Sequence, residues 1–521
     1  MMAKESAARV CAVITEQTVS AARARFKQAA QDADMIEIRL DFLQDFDFTR
    51  PENLRSLLEE NTLPVIITCR SIAEGGRQMI DDPVRLRLLV EGARNWADYC
   101  DIEAAHYEHA ERLAPDPSRL ILSYHNFEET PRDLSDIYAR LCRLPAAVHK
   151  IVTRAGSITD TLSVFHLLDR AHADGRNLIA LAMGEPGVIT RVLGPAVGSY
   201  LTYGSLARGR ESAPGQLTCH ELKNVYRVHS LSRETEIMGI IGRPVSGSAS
   251  PAMHNAAFQS LGLDTIYLPI EVDNPAEFFT RFVREESRAL DWRLRGLSVT
   301  LPYKTDVLPL LDEVDETAEK IGAVNTVVIS GGRLKGYNTD VAGAIAPLEK
   351  VCALKGESCG VIGAGGAARA VIYGLVTRGA RVTLFARDPV RARELAGAAG
   401  IIVYPVEALE TSDVHIVINT TPVGMRGHDE SASPVSRAAL KGRRVAYDLV
   451  YNPLETRFLK DARAEGCQTI SGIEMLVAQG ALQFELWTGS KAPQDLMRDA
   501  ALERVRLIER EFEKPRRGGI Q

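Results

Sequence analysis

Short apolar runs alternate with stretches of helical periodicity through the first 205 residues of the chain. The runs are rich in β-branched residues, which is typical of buried strands. In order they are VCAVIT, MIEIRLD, LPVIITCR, DYCDIE, RLILSYH, AVHKIVT, NLIALAM and YLTYGS. Eight strand–helix units in about 220 residues predict a (β/α)8 barrel of the α/β class. An open, doubly wound sheet is the alternative that the same pattern allows.

The second half of the chain also alternates strands and helices, in two successive patterns. The first strand-like runs are EIMGIIG, DTIYLPI, RLRGLSVTL and NTVVISG, which predict a small α/β lobe. The later runs are nearly continuous and apolar; they are SCGVIG, RVTLFA, HIVINT and RRVAYDLV. Such runs are expected in a parallel sheet that helices cover on both faces. We therefore predict a Rossmann-like, doubly wound domain there.

These patterns predict five segments. They are a barrel over residues 1–228, a short polar linker over 229–235, a small α/β lobe over 236–345, a Rossmann-like domain over 346–490, and a C-terminal helix with a disordered tail over 491–521. The C-terminal helix could pack on the small α/β lobe.

Composition is that of an ordinary globular protein and narrows the choice of partners. Apolar residues make up 45% of the chain, and the net charge is -6 with Lys and Arg dispersed, which argues against nucleic acid as a partner. No apolar run approaches the roughly 18 residues that a membrane helix needs. Eight scattered cysteines and the lack of a signal peptide predict reduced thiols in a cytoplasmic protein. Neither half shows metal-ligand spacing, so no metal is expected.

One lysine lies inside an apolar predicted strand. Lys150 belongs to AVHKIVT, where burial favours the neutral amine over the ammonium. A neutral amine can attack a ketone, and the resulting iminium acidifies the adjacent C–H and permits loss of a β-hydroxyl as water. His125, at the end of the preceding strand, could move the protons, and Glu74 could orient its imidazole. His149 is adjacent to Lys150, but strand alternation turns it away from the site.

Further polar side chains fall near the carboxyl ends of the predicted barrel strands, where barrel enzymes place their active sites. Glu37 and Arg39 are two residues apart on one strand and project to the same face. They could bind substrate hydroxyls and a carboxylate, or form an ion pair within the barrel. The residues that would complete an anion-binding mouth are Arg70, Arg191, Ser212 and Gln216.

The sequence VIGAGGAARA follows a predicted strand and opens a helix. Its turn, where the backbone can approach a pyrophosphate at a helix N-terminus, comprises Gly363, Ala364, Gly365, Gly366 and Ala367. Arg387, after the next strand, can bind the 2′-phosphate of NADP, whereas Asp388 beside it keeps NAD as an alternative. The other residues predicted to contact the cofactor are Asn419, Thr420, Thr421, Gly424 and Gly472.

The predicted small α/β lobe carries hydroxyl, amide and acid–base groups. They are Ser248, Ser250, Thr300, Lys304, Asn325 and Asp340. Hydroxyls and an amide suit a polyhydroxylated ring. Lys304 and Asp340, if adjacent, can pass the proton that accompanies hydride transfer. The alternative is that Lys304 is an ordinary surface lysine at a helix start.

Residues 8–228 resemble type I 3-dehydroquinate dehydratase through IEIRLD, SYHNFEETP, VHKIVT and ESAPGQ. The resemblance implies that Lys150 forms an imine, that His125 is the acid and base, and that Glu74 is its partner. The substrate contacts that it implies are Glu37, Arg39, Arg70, Arg191, Ser212 and Gln216.

Residues 236–490 resemble shikimate dehydrogenase through SGSASPAMHN, LSVTLPYK, AVNTV, GYNTD and INTTPVGM. This resemblance implies that Lys304 and Asp340 are the catalytic pair. The substrate contacts that it implies are Ser248, Ser250, Thr300, Asn325, Gln479 and Tyr451. One departure is Gly247, where the family usually has His.

Together the two resemblances imply a fused enzyme that dehydrates 3-dehydroquinate to 3-dehydroshikimate and then reduces that ketone with NADPH. A quinate-utilising dehydrogenase is one alternative, although the retained Ser248, Ser250 and Thr300 favour shikimate. A regulatory protein built on degenerate catalytic domains is the other. The presence of Lys150, His125, Lys304 and Asp340 argues against it, because a sensor needs no proton-transfer groups.

Overall fold

The computed structural model describes residues 8–397 and 400–513. These residues divide into two compact units, the first within Met1–Glu236 and Leu268–Arg293, the second within Ile237–Tyr267 and Leu294–Gln521. The disordered tail predicted from the sequence lies outside the described residues beyond position 513. Within the described ranges, no helix is both long enough and apolar enough to cross a bilayer.

Eight parallel strands form the sheet of the first unit. They are β1 (Val10–Ile14), β2 (Met35–Arg39), β3 (Val65–Thr68), β4 (Tyr99–Glu103), β5 (Leu120–His125), β6 (Val148–Arg154), β7 (Leu178–Met183) and β8 (Thr202–Ser205). Their order is β7-β6-β5-β4-β3-β2-β1-β8, and a parallel bridge from Leu178 to Ser199 joins β7 to the segment that leads into β8. The sheet is therefore a nearly closed barrel, which confirms the predicted barrel and excludes the open sheet.

Helices alternate with these strands. They are α1 (Val19–Ala24), α2 (Phe26–Asp32), α3 (Asn53–Leu58), α4 (Asp82–Asn95), α5 (Tyr107–Glu111), α6 (Leu134–Leu141), α7 (Asp160–Ala173) and α8 (Val188–Val197). Buried positions recur every three to four residues, as in α7 with Leu162, Phe165 and Leu168. This periodicity gives each longer helix one apolar face.

Strand alternation sets what faces the barrel interior. On β6, Val148 and Val152 belong to a buried cluster that also contains Cys11 and Ile179. Lys150 lies between the two valines on the same face, because side chains two apart on a strand project together. His149 points the other way, with its Nε2 3.2 Å from the carbonyl of Leu144, as the alternation predicts.

The second sheet has six strands, in the order β10-β9-β11-β13-β14-β12. They are β9 (Glu236–Gly242), β10 (Thr265–Glu271), β11 (Arg293–Val299), β12 (Glu313–Val314), β13 (Thr326–Ser330) and β14 (Arg333–Tyr337). Strand β11 pairs antiparallel with β13, and β13 pairs antiparallel with β14. The sequence did not predict β12 or β14, since β12 has two residues and β14 is only half buried.

The third sheet is entirely parallel, in the order β17-β16-β15-β18-β19-β20. Its strands are β15 (Ser358–Ile362), β16 (Arg381–Ala386), β17 (Ile402–Pro405), β18 (Ile416–Asn419), β19 (Val445–Asp448) and β20 (Gln468–Ile470). This is the doubly wound order, in which the direction of winding reverses beside β15. The predicted Rossmann-like fold is confirmed, and a ligand crevice is expected at the carboxyl ends of β15 and β18.

Helices accompany these two sheets as well. They are α9 (Ser250–Ser260), α10 (Pro275–Phe278), α11 (Glu316–Ile321), α12 (Asp340–Glu349), α13 (Gly366–Thr377), α14 (Pro389–Gly397), α15 (Arg457–Ala464), α16 (Gly472–Thr488) and α17 (Gln494–Glu513). The C-terminal helix α17 packs on α9, through a buried cluster that includes Met497, Val505, Met253 and Phe258.

Candidate active sites

The side chain of Lys150 is 4% exposed at the centre of the barrel. Its Nζ lies 2.9 Å from Asp101 Oδ2, 3.8 Å from Glu37 Oε1 and 4.5 Å from the ring centroid of Tyr203. The expected burial is confirmed, but the expectation of an apolar environment is wrong. Two carboxylates and an aromatic face therefore surround the nitrogen.

Asp101 is the centre of this polar cluster. Its Oδ2 also accepts from the guanidinium of Arg70 at 2.9 Å, and its Oδ1 accepts from Ser123 Oγ at 2.6 Å. Burial by itself raises the pKa of Asp101, but the charges of Arg70 and Lys150 outweigh burial and hold that pKa below its usual range. Asp101 therefore remains a carboxylate.

His125 and Glu74 form a second pair at the rim of the barrel. His125 Nδ1 lies 2.9 Å from Glu74 Oε2. Burial, followed by the charges of Arg70 and Lys150, lowers the pKa of His125 well below its usual value, and burial raises the pKa of Glu74 to about 7. The lowered pKa favours a neutral imidazole, which can accept a proton, beside a carboxyl group whose pKa lies near neutral pH.

The loop that carries Glu74 depends on two glycines. Gly75 has φ of +82°, and a Cβ at Gly76 would lie 2.0 Å from the carbonyl oxygen of Arg70. A side chain at Gly76 would collide with backbone, which cannot move aside. The EGG sequence is therefore needed to bring Glu74 back over the barrel, where it meets His125.

Arg39 and Glu37 do not pair with each other. Arg39 makes two hydrogen bonds to Asp41, at 2.8 and 2.9 Å, and its Nη2 lies 3.4 Å from the carbonyl of Gly75. Glu37 instead accepts from Thr68 Oγ1 at 2.6 Å. The structure therefore excludes the ion pair within the barrel that the sequence left open.

Arg191 is a buried cation without a carboxylate partner in the described part of the chain. It is 2% exposed, its Nε has no hydrogen-bond partner, and its Nη2 lies 3.5 Å from the carbonyl of Pro214. Burial lowers its pKa to about 10. Ser212 and Gln216 lie on the loop after β8, where the Gln216 side-chain oxygen accepts a hydrogen bond from the Ser212 amide at 2.7 Å. An unpaired buried guanidinium is suited to an anionic ligand.

The second site centres on Lys304 and Asp340. Lys304 Nζ is 2.5 Å from Asp340 Oδ2, and Asn325 Nδ2 donates to Asp340 Oδ1 at 2.9 Å. Asp340 begins α12, where the helix dipole favours a negative charge. The Val324 amide donates to the Lys304 carbonyl at 2.8 Å. Lys304 and Asp340 are therefore adjacent, which is the condition that the sequence analysis set for proton transfer between them.

The other predicted substrate contacts of this lobe lie on three elements. Ser248 Oγ accepts from the amide of Ser250, which begins α9, at 3.1 Å. Burial raises the pKa of Tyr451, and hydrogen bonding to Ser248 opposes the rise. The Thr300 amide donates to the Ile241 carbonyl at 2.9 Å. On α16, Gln479 Oε1 lies 3.5 Å from Asn325 Nδ2.

The glycine turn follows β15 and leads into α13 as the sequence predicts. Gly363 has φ of +105°, and a Cβ there would lie 2.7 Å from Thr421 Cγ2. A Cβ at Gly365 or Gly366 would meet nothing within 4 Å. Ala364 lies in the same turn, and Ala367 is the second residue of α13. The turn is therefore open on the side where a pyrophosphate would bind, and this arrangement fits a dinucleotide.

Arg387 and Asp388 differ in the contacts that their side chains make. Asp388 Oδ1 accepts from the amides of Val390 and Arg391, both at 3.1 Å, at the start of α14. Arg387 is exposed and forms no ion pair within the described ranges. Because helix capping occupies the carboxylate and leaves the guanidinium available, this geometry favours a 2′-phosphate over a bare ribose.

The remaining cofactor contacts predicted from the sequence are Asn419, Thr420, Thr421, Gly424 and Gly472. Thr420 Oγ1 donates to the Ile362 carbonyl at 2.7 Å, and Asn419 Nδ2 donates to Asp448 at 2.9 Å. Gly424 has φ of +90°. Gly472 begins α16, and a Cβ there would lie 2.4 Å from the Leu449 carbonyl oxygen, so packing against backbone already requires glycine at that position.

Sequence reasoning missed three residues that contact or hold the Lys150 region. They are Asp101, Ser123 and Tyr203. One signal was available: Asp101 and Glu103 are two apart in DYCDIE, so both carboxylates face the same side of a buried strand and need cations. In the described residues, no group of three or more His, Cys, Asp or Glu side chains could hold a metal ion.

Four family models match successive parts of the chain. Residues 10–233 match type I 3-dehydroquinase, and residues 240–327 match the shikimate dehydrogenase substrate-binding domain. Residues 472–502 match the shikimate 5'-dehydrogenase C-terminal domain. Residues 358–432 match an NADP oxidoreductase model described as coenzyme F420-dependent.

Named relatives cover the halves singly and together. A shikimate dehydrogenase (NADP(+)) of Carboxydothermus hydrogenoformans is 42% identical over 278 residues, covering 52% of this chain and 98% of its own. The crystal structure of Thermus thermophilus shikimate 5-dehydrogenase in complex with NADP(H) and shikimate is 40% identical, with a TM-score of 0.47, and the match covers 52% of this chain and 99% of that one.

A relative from Arabidopsis thaliana matches both halves. It is a chloroplastic bifunctional 3-dehydroquinate dehydratase/shikimate dehydrogenase, 36% identical over 489 residues, which covers 89% of this chain and 79% of the relative. Because the match covers 89% of this chain, it extends into both halves. This chain therefore belongs to the family of bifunctional 3-dehydroquinate dehydratase/shikimate dehydrogenases.

Proposed function

We propose that this chain dehydrates 3-dehydroquinate to 3-dehydroshikimate through an imine on Lys150 and then reduces 3-dehydroshikimate to shikimate with NADPH at Lys304 and Asp340. The observation that carries the proposal is a pair of lysine–carboxylate contacts in two different folds of one chain. Lys150 lies 2.9 Å from Asp101 inside the barrel, and Lys304 lies 2.5 Å from Asp340 at the start of α12.

In the first reaction the amine of Lys150 attacks the ketone of the substrate. Nitrogen and carbon form a bond, the ketone oxygen leaves as water, and an iminium remains. Removal of the adjacent C–H proton sends its electron pair toward the nitrogen, and the β-hydroxyl is then expelled as a second water. Hydrolysis of the iminium restores the lysine and releases the product.

His125 suits the proton transfers of this sequence. Its low pKa keeps the imidazole neutral, so that it can accept a proton, and Glu74 holds the ring through Nδ1. Above the pKa of Glu74, about 7, the carboxylate accepts from Nδ1–H and leaves Nε2 as the basic nitrogen. A base in this form can take the substrate proton and return it to the leaving hydroxyl.

Arg191 supports an anionic substrate. Its buried guanidinium, with Nε unpartnered, would gain a charge-assisted hydrogen bond from a carboxylate. The groups that we propose for the substrate hydroxyls and the rest of the carboxylate are Glu37, Arg39, Arg70, Ser212 and Gln216.

In the second reaction Lys304 gives a proton to the oxygen of the ketone as it is reduced, and Asp340 stabilises the cation before transfer. Asn325 donates a hydrogen bond to the other oxygen of Asp340, and this holds the carboxylate in one orientation toward Lys304. The substrate contacts that we propose are Ser248, Ser250, Thr300, Tyr451 and Gln479. When bound, NADPH would supply the hydride.

The residues of the crevice fit NADPH. The Gly365–Gly366 backbone is open, and Gly363 holds the turn against Thr421. Arg387 would bind the 2′-phosphate, since Asp388 is occupied as a helix cap. The relative from Carboxydothermus hydrogenoformans carries NADP(+) in its name, which supports the same cofactor here.

Borohydride trapping tests the first half of this proposal. Full-length protein incubated with 3-dehydroquinate and borohydride is expected to gain the mass of one reduced adduct, and peptide mass spectrometry should locate it on Lys150. Lys223 serves as a matched lysine elsewhere in the chain and should carry none. An unmodified Lys150 in active protein would contradict the imine mechanism.

A further inference from the structure

Asp101 is the carboxylate closest to the nitrogen of Lys150. The distance from Lys150 Nζ is 2.9 Å to Asp101 Oδ2 and 3.8 Å to Glu37 Oε1. The two residues come from strands β4 and β6, which β5 separates. Their contact therefore crosses the barrel interior, and both side chains are almost completely buried.

Asp101 cannot turn away from this position. Ser123 Oγ, from the intervening strand β5, donates to Oδ1 at 2.6 Å, and Arg70 approaches Oδ2 at 2.9 Å. Arg70 is in turn held by Ser123 Oγ at 2.8 Å and lies 3.7 Å from Glu103. The carboxylate is thus fixed from two sides, with one oxygen facing the reactive nitrogen.

We propose that Asp101 is a catalytic residue of the dehydratase site, whose carboxylate is the counter-ion of the iminium on Lys150 and keeps a proton on that nitrogen. This inference rests on the proposed imine chemistry. It assigns to Asp101 a task that differs from the acid–base role of His125.

The bonding changes explain why the counter-ion matters. When the ketone carbon has bonded to nitrogen and water has left, the C=N nitrogen keeps one hydrogen and a positive charge. That N–H can donate to Asp101 Oδ2, as the Lys150 nitrogen does in the free protein. If the nitrogen lost this proton, the neutral imine would withdraw electrons less strongly, and the adjacent C–H would be less acidic.

Asp101 is suited to be a counter-ion and not a base. The charges of Arg70 and Lys150 hold its pKa below the usual range despite burial, so a proton passed to Asp101 would not stay there. The other ionisable groups around the Lys150 nitrogen are Cys11, Glu37, Arg70, Glu74, His125 and Tyr203. Among these, only Glu37 and Glu74 could supply a negative charge, and Glu37 lies farther from the nitrogen than Asp101.

The test compares full-length wild type with Asp101→Asn, which keeps the shape and removes the charge. We expect kcat for 3-dehydroquinate to fall on the order of 100-fold. We also expect the alkaline limb of the kcat profile to move to lower pH, because the iminium loses its proton more easily. Borohydride should still trap an adduct on Lys150. A kcat within threefold of wild type, or an unmoved alkaline limb, would overturn the proposal.

Two further variants keep the result interpretable. Ser123→Ala removes one holder of Asp101 but leaves its charge, so kcat should fall less than tenfold with the alkaline limb in place. Asp101→Glu, which serves if Asp101→Asn does not fold, retains a carboxylate and should also leave the limb in place; a shifted limb in Asp101→Glu would contradict a role for charge.

Borohydride trapping of wild type distinguishes a failure of the imine mechanism from a failure of the role proposed for Asp101. If wild type gives no adduct on Lys150, the imine mechanism itself fails. If wild type is trapped but Asp101→Asn matches it in rate and pH profile, only the role of Asp101 fails.

Discussion

The two reactive lysines differ in their surroundings. Lys150 is enclosed by Asp101, Glu37 and the ring of Tyr203, whereas Lys304 has one carboxylate partner and a side chain that is 20% exposed. A nitrogen that forms a covalent bond to substrate benefits from enclosure, because water is excluded from the iminium. A nitrogen that only passes a proton needs a route by which that proton returns. The two environments match these two tasks.

At the same scale, Glu74 should control the pH dependence of the dehydratase. Its pKa is raised by burial to about 7, so it loses its proton as the pH rises through that value. We expect activity to rise over the same interval, because the ionised Glu74 leaves His125 Nε2 free to act as a base. In Glu74→Gln this rise should disappear, with kcat at pH 8 lowered about tenfold. The measurement is the kcat profile from pH 5 to 9.

Glu128→Gln is the matched control for that change, because Glu128 is an exposed glutamate close to His125 in sequence. Its profile should coincide with that of wild type. An acid limb that persists unchanged in Glu74→Gln would show that another group sets it.

Residue chemistry could be predicted where a side chain is unusual for its strand. Lys150 and His125 stood out in this way. Asp101 did not, because its importance comes from contact with Lys150 across an intervening strand, which depends on barrel closure and register. The same reason explains the error about the surroundings of Lys150: the apolar letters of AVHKIVT describe its own strand but not the strands that it faces.

At the scale of elements, the turn between β15 and α13 determines access to the dinucleotide crevice. Gly363→Ala would place a methyl group in the left-handed region and 2.7 Å from Thr421 Cγ2. We expect a loss of about 1–3 kcal/mol in stability and NADPH binding weakened at least tenfold. Calorimetric titration with NADPH and thermal unfolding measure the two effects.

Gly356→Ala separates backbone strain from crowding. Gly356 also has positive φ, at +82°, but a Cβ there would meet nothing within 4 Å. This variant should lose about 1 kcal/mol and bind NADPH as wild type does. Equal NADPH binding by both variants would contradict the importance of the Gly363 turn.

Buried elements were predictable and exposed edges were not. All eight barrel strands and the four central strands of the Rossmann-like sheet follow from apolar runs. The missed strands β17 and β20 are at the two edges of that sheet, and β17 is largely exposed. An edge strand needs no continuous apolar run, since one side and often one face meet solvent.

At the scale of the whole molecule, two candidate active sites occur along one chain. The barrel holds Lys150, His125 and Glu74, and the second compact unit holds Lys304, Asp340 and the glycine turn. Each unit has a buried core of its own. The segment boundaries proposed from the sequence remain predictions. The two compact units of the structure divide the chain differently, since Leu268–Arg293 belongs to the same unit as the barrel strands.

The most direct test of the account follows NADPH oxidation by full-length wild type, Lys150→Met and Lys304→Met, with either 3-dehydroquinate or 3-dehydroshikimate supplied. Wild type should oxidise NADPH with both substrates. Lys150→Met should do so only with 3-dehydroshikimate, and Lys304→Met should be slowed with both, by about a thousandfold, while still converting 3-dehydroquinate to 3-dehydroshikimate. If Lys150→Met still consumed NADPH with 3-dehydroquinate at the wild-type rate, the central claim that this lysine performs the first reaction would be contradicted.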